Sequence, residues 1–596
     1  MKAFLKYFLA AFLAFFTAIV LIFLGLFGSV LFSGDGNDIS IENNSVLHLQ
    51  FKNEITERQS SKKFNIDPSS FKVLKKDGLD MIINQINKAA LDPKIEGIFL
   101  DFRNINSRLA TVQEIRDALS AFKASGKWIV AYSDVLSQKA YYLASVANEI
   151  YIEPEGTVEF NGLMTKIAFL KRTLEKIGVE MQVVRPKNNK FKSAVEPFML
   201  DSMSAANELQ TKTLLAGLWG EMLKSIGEDR GLSIEKLNDI ADDFTGMDPR
   251  ESANVGLITG AKYRDEVEDI LKSKLNIDSK EELTFATLND YSKSIVSDFV
   301  SLSEKNSDNK IAVIYAIGEI GLGESSEDDY KMGSDDLAKA IKEARNNEDV
   351  KAVVLRVNSP GGGVLASDVI WREMCKIRET KKVVVSMGDL AASGGYYIST
   401  PSDKIYAQEN TITGSIGVFG VIPNTKGLNE DILGLSYDEV KTNKHSDFFD
   451  FTRAMHADEE EKIQMLIDDI YGDFMSKVSE SRGLTIPEVD NIAQGRVWAG
   501  EDAKRIGLVD EIGGLDEAII AAAELAELDN YGIINYPIIE IDPFQEILEQ
   551  LVNAKADYIE TELQHSPELL HSYRTLKRIN EIKGLQMRMD FDMTIR

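Results

Sequence analysis

The sequence predicts an α/β protein built from two tandem copies of one unit. Strand patterns alternate with helical stretches in both halves, which is typical of a largely parallel sheet. Adding 255 to a residue number in the first half gives a matching residue in the second, so that Leu100 falls on Leu355 and Lys127 on Lys382. The strands are almost continuously apolar, which is typical of a sheet covered on both faces.

Each half is expected to begin with a strand and then to alternate helices with strands. The first strand is SVLHLQF in the first half and KIAVIYAIGEI in the second. An amphipathic helix follows, GLDMIINQINKAALD in one half and DDLAKAIKEARNN in the other. The next strands are IEGIFLDF and VKAVVLRV, and after a further helix come WIVAYSD and KVVVSMGD. The two halves therefore share one order of elements.

A chain of 596 residues is too long for one compact core, so several domains are expected. The polar stretch SLSEKNSDNK separates the two repeats and is the best domain boundary. The predicted division of the chain is a cytoplasmic N-terminus (1–6), a transmembrane anchor (7–32), an N-terminal repeat (44–300), a C-terminal repeat (308–545) and a C-terminal tail (546–596).

The anchor is predicted from an uncharged, apolar run between Tyr7 and Phe32. As a helix this run would extend over about 39 Å, enough to cross a bilayer with some tilt. Lys2 and Lys6 precede it, and the positive-inside rule then places the N-terminus in the cytoplasm. A single-pass protein is expected, with everything after the anchor on the far side of the membrane.

Composition excludes some classes of function. The net charge of −28 argues against nucleic-acid binding, because a phosphate backbone requires basic surface. Cys375 is the only cysteine, so neither an intrachain disulfide nor a cysteine-rich metal site is possible. We expect no metal and no organic cofactor.

Ser393 is the candidate nucleophile. It follows an apolar strand and is flanked by small residues, which let a substrate backbone approach its hydroxyl. The glycine run that begins with Gly361 and Gly362 ends the preceding strand, and its free backbone could present N–H donors to a developing oxyanion. A packed strand-to-helix turn would use the same small residues, and a phosphate loop is the competing use of the glycines.

Lys192 is the candidate base, because each half keeps a different part of one site. The first half has Gln138 where the second has Ser393, and the second half lacks a lysine at the position that corresponds to Lys192. A lysine buried among apolar groups can become neutral and accept a proton. A surface lysine in a basic run is the alternative, and a Ser-His-Asp triad assembled in space stays open.

Four motifs, GDLAASGGYYIST, RVNSPGG, TGSIGVFG and KSAVEPF, resemble those of the signal peptide peptidase A family in its long, duplicated form. This resemblance implies two ClpP/crotonase-like repeats and a serine endopeptidase with a Ser/Lys dyad. It implies that Ser393 is the nucleophile, that Lys192 is the general base and that Ser415 orients the lysine. The oxyanion hole would come from Gly394 and from Gly361 or Gly362.

The family further implies a substrate and a location. Cleaved signal peptides and other unfolded polypeptides are the expected substrates, and a homotetramer on the lipid bilayer is the expected assembly. The location would be the bacterial inner membrane, with the catalytic domain on the periplasmic side. Two alternatives stay open at this point, a crotonase-like acyl-CoA enzyme and a catalytically inactive membrane scaffold. Since neither half holds both residues of the dyad, one active site per chain is predicted at the junction of the repeats.

Overall fold

The computed structural model describes residues 41–58, 65–67, 72–74, 76–288, 307–326, 330–538 and 585–588, together with Thr17 and Tyr291. The predicted anchor, apart from Thr17, and most of the predicted tail lie outside the described residues. Within the described ranges, none of the helices combines the length and apolar character that a membrane crossing requires.

The N-terminal half alternates strands and helices as the sequence predicts. Its strands are β1 (Ser45–Leu49), β2 (Glu54–Thr56), β3 (Asn65–Asp67), β4 (Lys72–Leu74), β5 (Lys76–Gly78), β6 (Ile95–Asp101), β7 (Trp128–Leu136), β8 (Glu149–Val158), β9 (Glu180–Val184), β10 (Gly260–Ala261) and β11 (Phe285–Thr287). Its helices are α1 (Leu79–Leu91), α2 (Leu109–Ala124), α3 (Gln138–Ala144), α4 (Lys171–Lys176), α5 (Glu196–Met199), α6 (Ala205–Arg230), α7 (Ile234–Asp242), α8 (Pro249–Asn254) and α9 (Arg264–Leu275).

The C-terminal half repeats this pattern. Its strands are β12 (Lys310–Ile317), β13 (Glu319–Gly321), β14 (Lys331–Gly333), β15 (Val350–Ser359), β16 (Gly361–Gly363), β17 (Lys382–Ala392), β18 (Lys404–Ala407), β19 (Ile412–Gly414), β20 (Phe419–Asn424), β21 (Val497–Ala499), β22 (Glu511–Ile512), β23 (Gly532–Tyr536) and β24 (Leu585–Arg588). Its helices are α10 (Ser334–Asn346), α11 (Val364–Arg378), α12 (Gly394–Ser399), α13 (Ala457–Arg482), α14 (Ile486–Ile492), α15 (Gly500–Arg505) and α16 (Leu515–Leu525).

Each half is built on a parallel sheet with the same strand order. The order is β10-β8-β7-β6-β1-β11 in the N-terminal half, and β22-β18-β17-β15-β12-β23 in the C-terminal half. The C-terminal sheet also carries β19 beside β17, with β21 antiparallel to β19. The shared topology confirms the duplicated α/β architecture that the sequence predicts.

Alternating side chains of the strands pack on opposite faces of each sheet. In β6, Ile98 and Leu100 contribute to one buried apolar cluster, whereas Phe99 contributes to another. In β15, Val353 and Leu355 contribute to a cluster on one face of the sheet. Both faces are covered, which explains why these strands are apolar at nearly every position.

The numerical offset between the halves is not constant along the chain. Helix α10 begins and ends 255 residues after α1, as the sequence comparison requires. Helices α6 and α13 have 26 residues each, and α13 begins 252 residues after α6. The offset of 255 therefore holds in the first part of the repeat and changes before the long helices, because the connecting segments differ in length.

A third sheet joins the two halves. It has the order β14-β13-β16-β24-β20-β9, so that a strand of the N-terminal half lies at one edge of strands from the C-terminal half. Strand β9 pairs antiparallel with β20, and five residue pairs define their register. The segment that carries Lys192 follows β9, so this pairing brings it to the C-terminal half.

Polar side chains also connect the halves. The N–H and hydroxyl of Thr111 donate to the carboxylate of Asp389, at 3.0 and 2.6 Å. The fully buried Arg356 donates through Nε to Glu57 at 2.8 Å and through Nη2 to Glu114 at 2.5 Å. Burial raises the pKa of Glu114 to about 7, although Arg356 opposes this shift. The junction of the repeats is therefore a specific, buried and charged interface.

Candidate active site

Ser393 lies in a strained turn between β17 and α12. Its φ and ψ are 55° and −113°, a conformation that costs a residue with a side chain about 1–3 kcal/mol. The backbone N–H of Ser393 donates to the carbonyl of Gly414 at 2.8 Å, which fixes the turn. The side chain is fully buried. The turn after an apolar strand, which the sequence suggests, is thus present.

Lys192 reaches this turn from the N-terminal half. Its Nζ lies 2.9 Å from Ser393 Oγ, 2.9 Å from Ser415 Oγ and 3.0 Å from the Ser415 carbonyl oxygen. All three of these oxygens are uncharged, and the lysine is fully buried. Burial disfavours the charged form of an amine, which is the condition that a lysine general base requires.

Ser415 lies directly after β19 and has a positive φ of 50°. Its N–H donates to the Arg496 carbonyl at 2.7 Å, which anchors this second strained turn. The structure therefore brings together Ser393, Lys192 and Ser415, the three side chains to which the family resemblance assigns roles.

The three candidate oxyanion glycines lie beside the nucleophile. A Cβ added to Gly361 would lie 2.6 Å from the Gly394 nitrogen, and one added to Gly394 would lie 3.1 Å from the Gly362 nitrogen. A Cβ at Gly361 would collide with this backbone, and a Cβ at Gly394 would lie only 2.7 Å from Ser367 Oγ, which explains why glycine suits both positions. The Gly361 N–H donates to Ser359 Oγ at 3.2 Å.

A glycine that the sequence analysis does not identify holds the lysine in place. Gly495 has a positive φ of 78°, and a Cβ there would lie 2.5 Å from the Cβ of Lys192. The Gly495 N–H donates to the Ile416 carbonyl at 2.8 Å, and the Phe191 N–H donates to the Gln494 carbonyl at 2.9 Å. The C-terminal half therefore packs against the backbone of Lys192 and is hydrogen-bonded to the residue before it.

Two buried amides support the same segment. Gln210 Nε2 donates to the Phe191 carbonyl at 3.0 Å and to Ser193 Oγ at 2.7 Å. Asn189 Nδ2 donates to the Val418 carbonyl at 2.9 Å. Sequence reasoning missed both residues, because an isolated Asn or Gln carries no recognisable signal before its partners are known.

The corresponding place in the N-terminal half contains no serine nucleophile. Gln138 occupies the position of Ser393, and its Oε1 accepts from the N–H groups of Asn161 and Gly162 at 2.9 Å each. Phe160 occupies the position of Ser415. It is fully buried, and its ring packs against neighbouring aromatic rings. This half therefore contributes a lysine to the site and no nucleophile.

The sequence profile of Peptidase family S49 matches residues 121–278 and 376–529, once in each half. This chain belongs to that family. It is 38% identical over 474 residues to "Protease 4" of Salmonella typhi, covering 78% of this chain and 74% of that protein. A "Protease 4" of Haemophilus influenzae is 36% identical, covering 74% of this chain and 72% of that protein. The chloroplastic "Serine protease SPPA" of Arabidopsis thaliana is 31% identical, and the match covers 82% of this chain and 70% of that protein.

These relatives confirm the family resemblance that the four motifs indicate. The S49 chain is therefore a serine endopeptidase, and the hypothesis of an acyl-CoA enzyme is set aside. Among solved structures, a mutant of ClpP1 from Listeria monocytogenes aligns with 38% of this chain and 99% of its own, at 16% identity. Its TM-score is 0.24, a level from which we draw no conclusion about the fold.

Proposed function

We propose that this S49 peptidase uses Ser393 as nucleophile and Lys192 as general base. The observation that carries the proposal is the 2.9 Å separation of Lys192 Nζ and Ser393 Oγ in a buried site. Ser393 Oγ attacks the scissile carbonyl while the neutral amine takes its proton. The resulting ammonium then protonates the leaving amine, and water hydrolyses the ester on Ser393 by the same path.

Ser415 orients the base in this proposal. Its hydroxyl and carbonyl both contact Nζ, which aims the amine at the nucleophile. Gly394, with Gly362 or Gly361, stabilises the oxyanion through backbone N–H groups. Because the Gly361 N–H already donates to Ser359, we favour Gly362 as the second donor.

The substrates in this proposal are cleaved signal peptides and other unfolded polypeptides. Such chains are extended and expose apolar side chains, so they can bind through their backbone and through apolar pockets. The uncharged run of residues 7–32 would anchor the enzyme in the bacterial inner membrane as a single-pass protein, with the catalytic halves on the periplasmic side. An anchored site would encounter such peptides as they leave the bilayer. The proposal also assigns a ClpP/crotonase-like fold to each of the two repeats.

A homotetramer is part of the proposal, and the packing of the halves supports a ring. The face of the C-terminal half that carries Asp389 packs on α2 of the N-terminal half. The corresponding face of the N-terminal half carries Asp134, whose side chain is 39% exposed. Helix α11, which corresponds to α2, carries Leu365 as its second residue, and this leucine is 61% exposed. In a ring, the Asp134 face of one copy would contact helix α11 of the next copy. This head-to-tail contact would repeat the contact that the Asp389 face makes with α2 within one chain.

Hydrolysis of an apolar peptide by the detergent-solubilised chain tests the dyad. Ser393→Ala and Lys192→Ala should each lower kcat by roughly 1,000-fold or more, because nucleophile and base act as a unit. Ser386→Ala is the control, because it removes a buried hydroxyl that lies near Arg356 and has no role in the proposed catalysis. Wild-type activity in either dyad variant would refute the assignment.

A further inference from the structure

Arg496 begins the segment RVWAG, which lies directly after the loop that holds Lys192. Its backbone carbonyl accepts the N–H of Ser415 at 2.7 Å. Its guanidinium carbon lies 5.1 Å from the ring centre of Phe191, the residue before Lys192. One residue therefore contacts both the turn of the proposed orienting serine and the segment of the proposed base.

Two aromatic rings hold the guanidinium. Its carbon lies 4.1 Å from the ring centre of Trp498 as well as over Phe191, and both contacts are within the range of cation–π interactions. Within the described residues, the buried Nε of Arg496 has no hydrogen-bond partner. Burial lowers the pKa of this guanidinium, although Asp502 opposes the shift. The side chain is therefore placed mainly by its stacking on the two rings.

The ring of Trp498 is itself fixed. It lies in β21, is 8% exposed, and its Nε1 donates to the Ile492 carbonyl at 3.0 Å. A Cβ added to Gly414, the residue before Ser415, would lie 2.8 Å from this ring. The stack therefore starts on a rigid indole beside the serine turn and ends on Phe191, beside the lysine.

The N-terminal half has no nucleophile and also lacks this stack. Helix α8 precedes β10 as α15 precedes β22, and the two helices have six residues each and begin 251 residues apart. With this offset, Thr245 corresponds to Arg496 and Met247 corresponds to Trp498. The cation and the indole are thus present in the half that carries Ser393 and absent from its copy. The fold of the repeat therefore does not require them.

We propose that Arg496 is a positioning residue for the base, because its stack on the two rings and its bond to Ser415 set where Lys192 Nζ lies. The inference rests on the proposed role of Lys192 as general base. A shift of the lysine segment would lengthen the 2.9 Å contact between Nζ and Ser393 Oγ. Proton transfer requires that contact, and displacements of about 1 Å can cost roughly 100-fold in rate.

A double-mutant cycle on kcat tests this role, with the same apolar peptide as substrate. Arg496→Met removes the cation and Phe191→Leu removes the ring that it contacts. Each variant should lower kcat by roughly 5- to 30-fold with little change in KM, because positioning of the base acts on the chemical step. The double variant should lose little more than either single one, since a shared contact can be lost only once. Losses that multiply in the double variant would show that Arg496 does not act through Phe191.

A conservative variant and a matched control separate positioning from a general loss of folding. Arg496→Lys keeps a cation for the two rings and should stay within about 5-fold of the wild-type kcat. Arg264 also lies over two rings, those of Phe99 and Tyr132 in the N-terminal half, and Arg264→Met should keep kcat within a few-fold. Equal losses of kcat in Arg496→Met and Arg264→Met would overturn the inference, as would equal losses in the two Arg496 variants.

Lys192→Ala is measured in the same series, so that the two proposals can fail separately. Wild-type activity in Lys192→Ala would refute the proposed base and this inference with it. An inactive Lys192→Ala beside a fully active Arg496→Met would overturn this inference alone. The expected result is an inactive Lys192 variant and a partial loss of kcat in Arg496→Met.

Discussion

Lys192 Nζ lies 2.9 Å from Ser393 Oγ, although 201 residues separate the two in the chain. One residue belongs to the N-terminal half and the other to the C-terminal half. The contact exists because β9 pairs with β20 and because the loop at Gly495 holds the lysine backbone. The two halves of the duplication therefore meet where the lysine of one contacts the serine of the other.

Ser415→Ala should weaken the base without removing it. The variant loses one of the two hydroxyls near Nζ but keeps the carbonyl contact of residue 415. We expect kcat to fall roughly 10- to 100-fold with little change in KM, because general-base positioning acts on the chemical step. Ser399→Ala, which removes another buried hydroxyl, should retain kcat within a few-fold. Equal losses in the two variants would argue against a specific role for Ser415.

Gly495→Ala should displace the lysine. Its methyl group would lie 2.5 Å from the Cβ of Lys192, and the positive φ adds strain. We expect a loss of roughly 100-fold in kcat, because small displacements of catalytic groups are costly.

Gly507→Ala is the matched control for this prediction. Gly507 has a φ of 83°, and a Cβ there would meet nothing within 4 Å. The left-handed backbone should cost each variant about 1–2 kcal/mol of stability, measured by thermal unfolding, and the contact with Lys192 should add to the loss in the Gly495 variant. Only the Gly495 variant should lose activity. A similar loss of activity in both variants would show that backbone strain alone, and not the contact with Lys192, reduces kcat.

Glu114→Gln should reduce the pH dependence of stability. The pKa of Glu114 is raised to about 7 by burial, against an ordinary value of about 4.3. Between these two values the folded chain holds a proton that the unfolded chain releases, so wild-type stability falls as the pH rises through this window. Wild-type Tm should drop by several degrees more than that of the variant between pH 5 and pH 8. The exposed Glu155→Gln should match the wild type, and identical slopes for the Glu114 variant would contradict this assignment.

Mixing two inactive variants tests whether the dyad forms within one chain. In the structure, Lys192 and Ser393 of the same chain are in contact. Purified Lys192→Ala and Ser393→Ala chains, mixed in equal amounts, should therefore show less than about 1% of wild-type peptide hydrolysis. Recovery of a substantial fraction would mean that neighbouring chains exchange their halves.

Sequence reasoning reached the main features of this site because they follow from the repeat. The comparison of halves exposes Gln138 opposite Ser393 and the absence of a lysine opposite Lys192, and these differences point to complementary loss. The alternation of apolar strands and helices likewise predicts the two parallel sheets. These features depend on local patterns, which a single sequence retains.

Other features depend on contacts between distant segments and could not be predicted. Gly495 is one glycine among 41, and nothing nearby indicates that Lys192 packs against its backbone. Leu585–Arg588 has no counterpart in the repeat, so its pairing with β16 appears only in the folded chain. Strands β9 and β20 likewise give no sign in the sequence that they pair with each other.

Covalent labelling tests the central claim most directly. A peptide-like, serine-reactive inhibitor is added to the wild-type chain and to Lys192→Ala, and the modified residue is mapped by mass spectrometry. The wild-type chain should carry the label on Ser393, and labelling of the Lys192 variant should be slower by roughly 100-fold or more. A label on a different serine, or equal labelling rates for the two proteins, would contradict a single active site shared by the two halves.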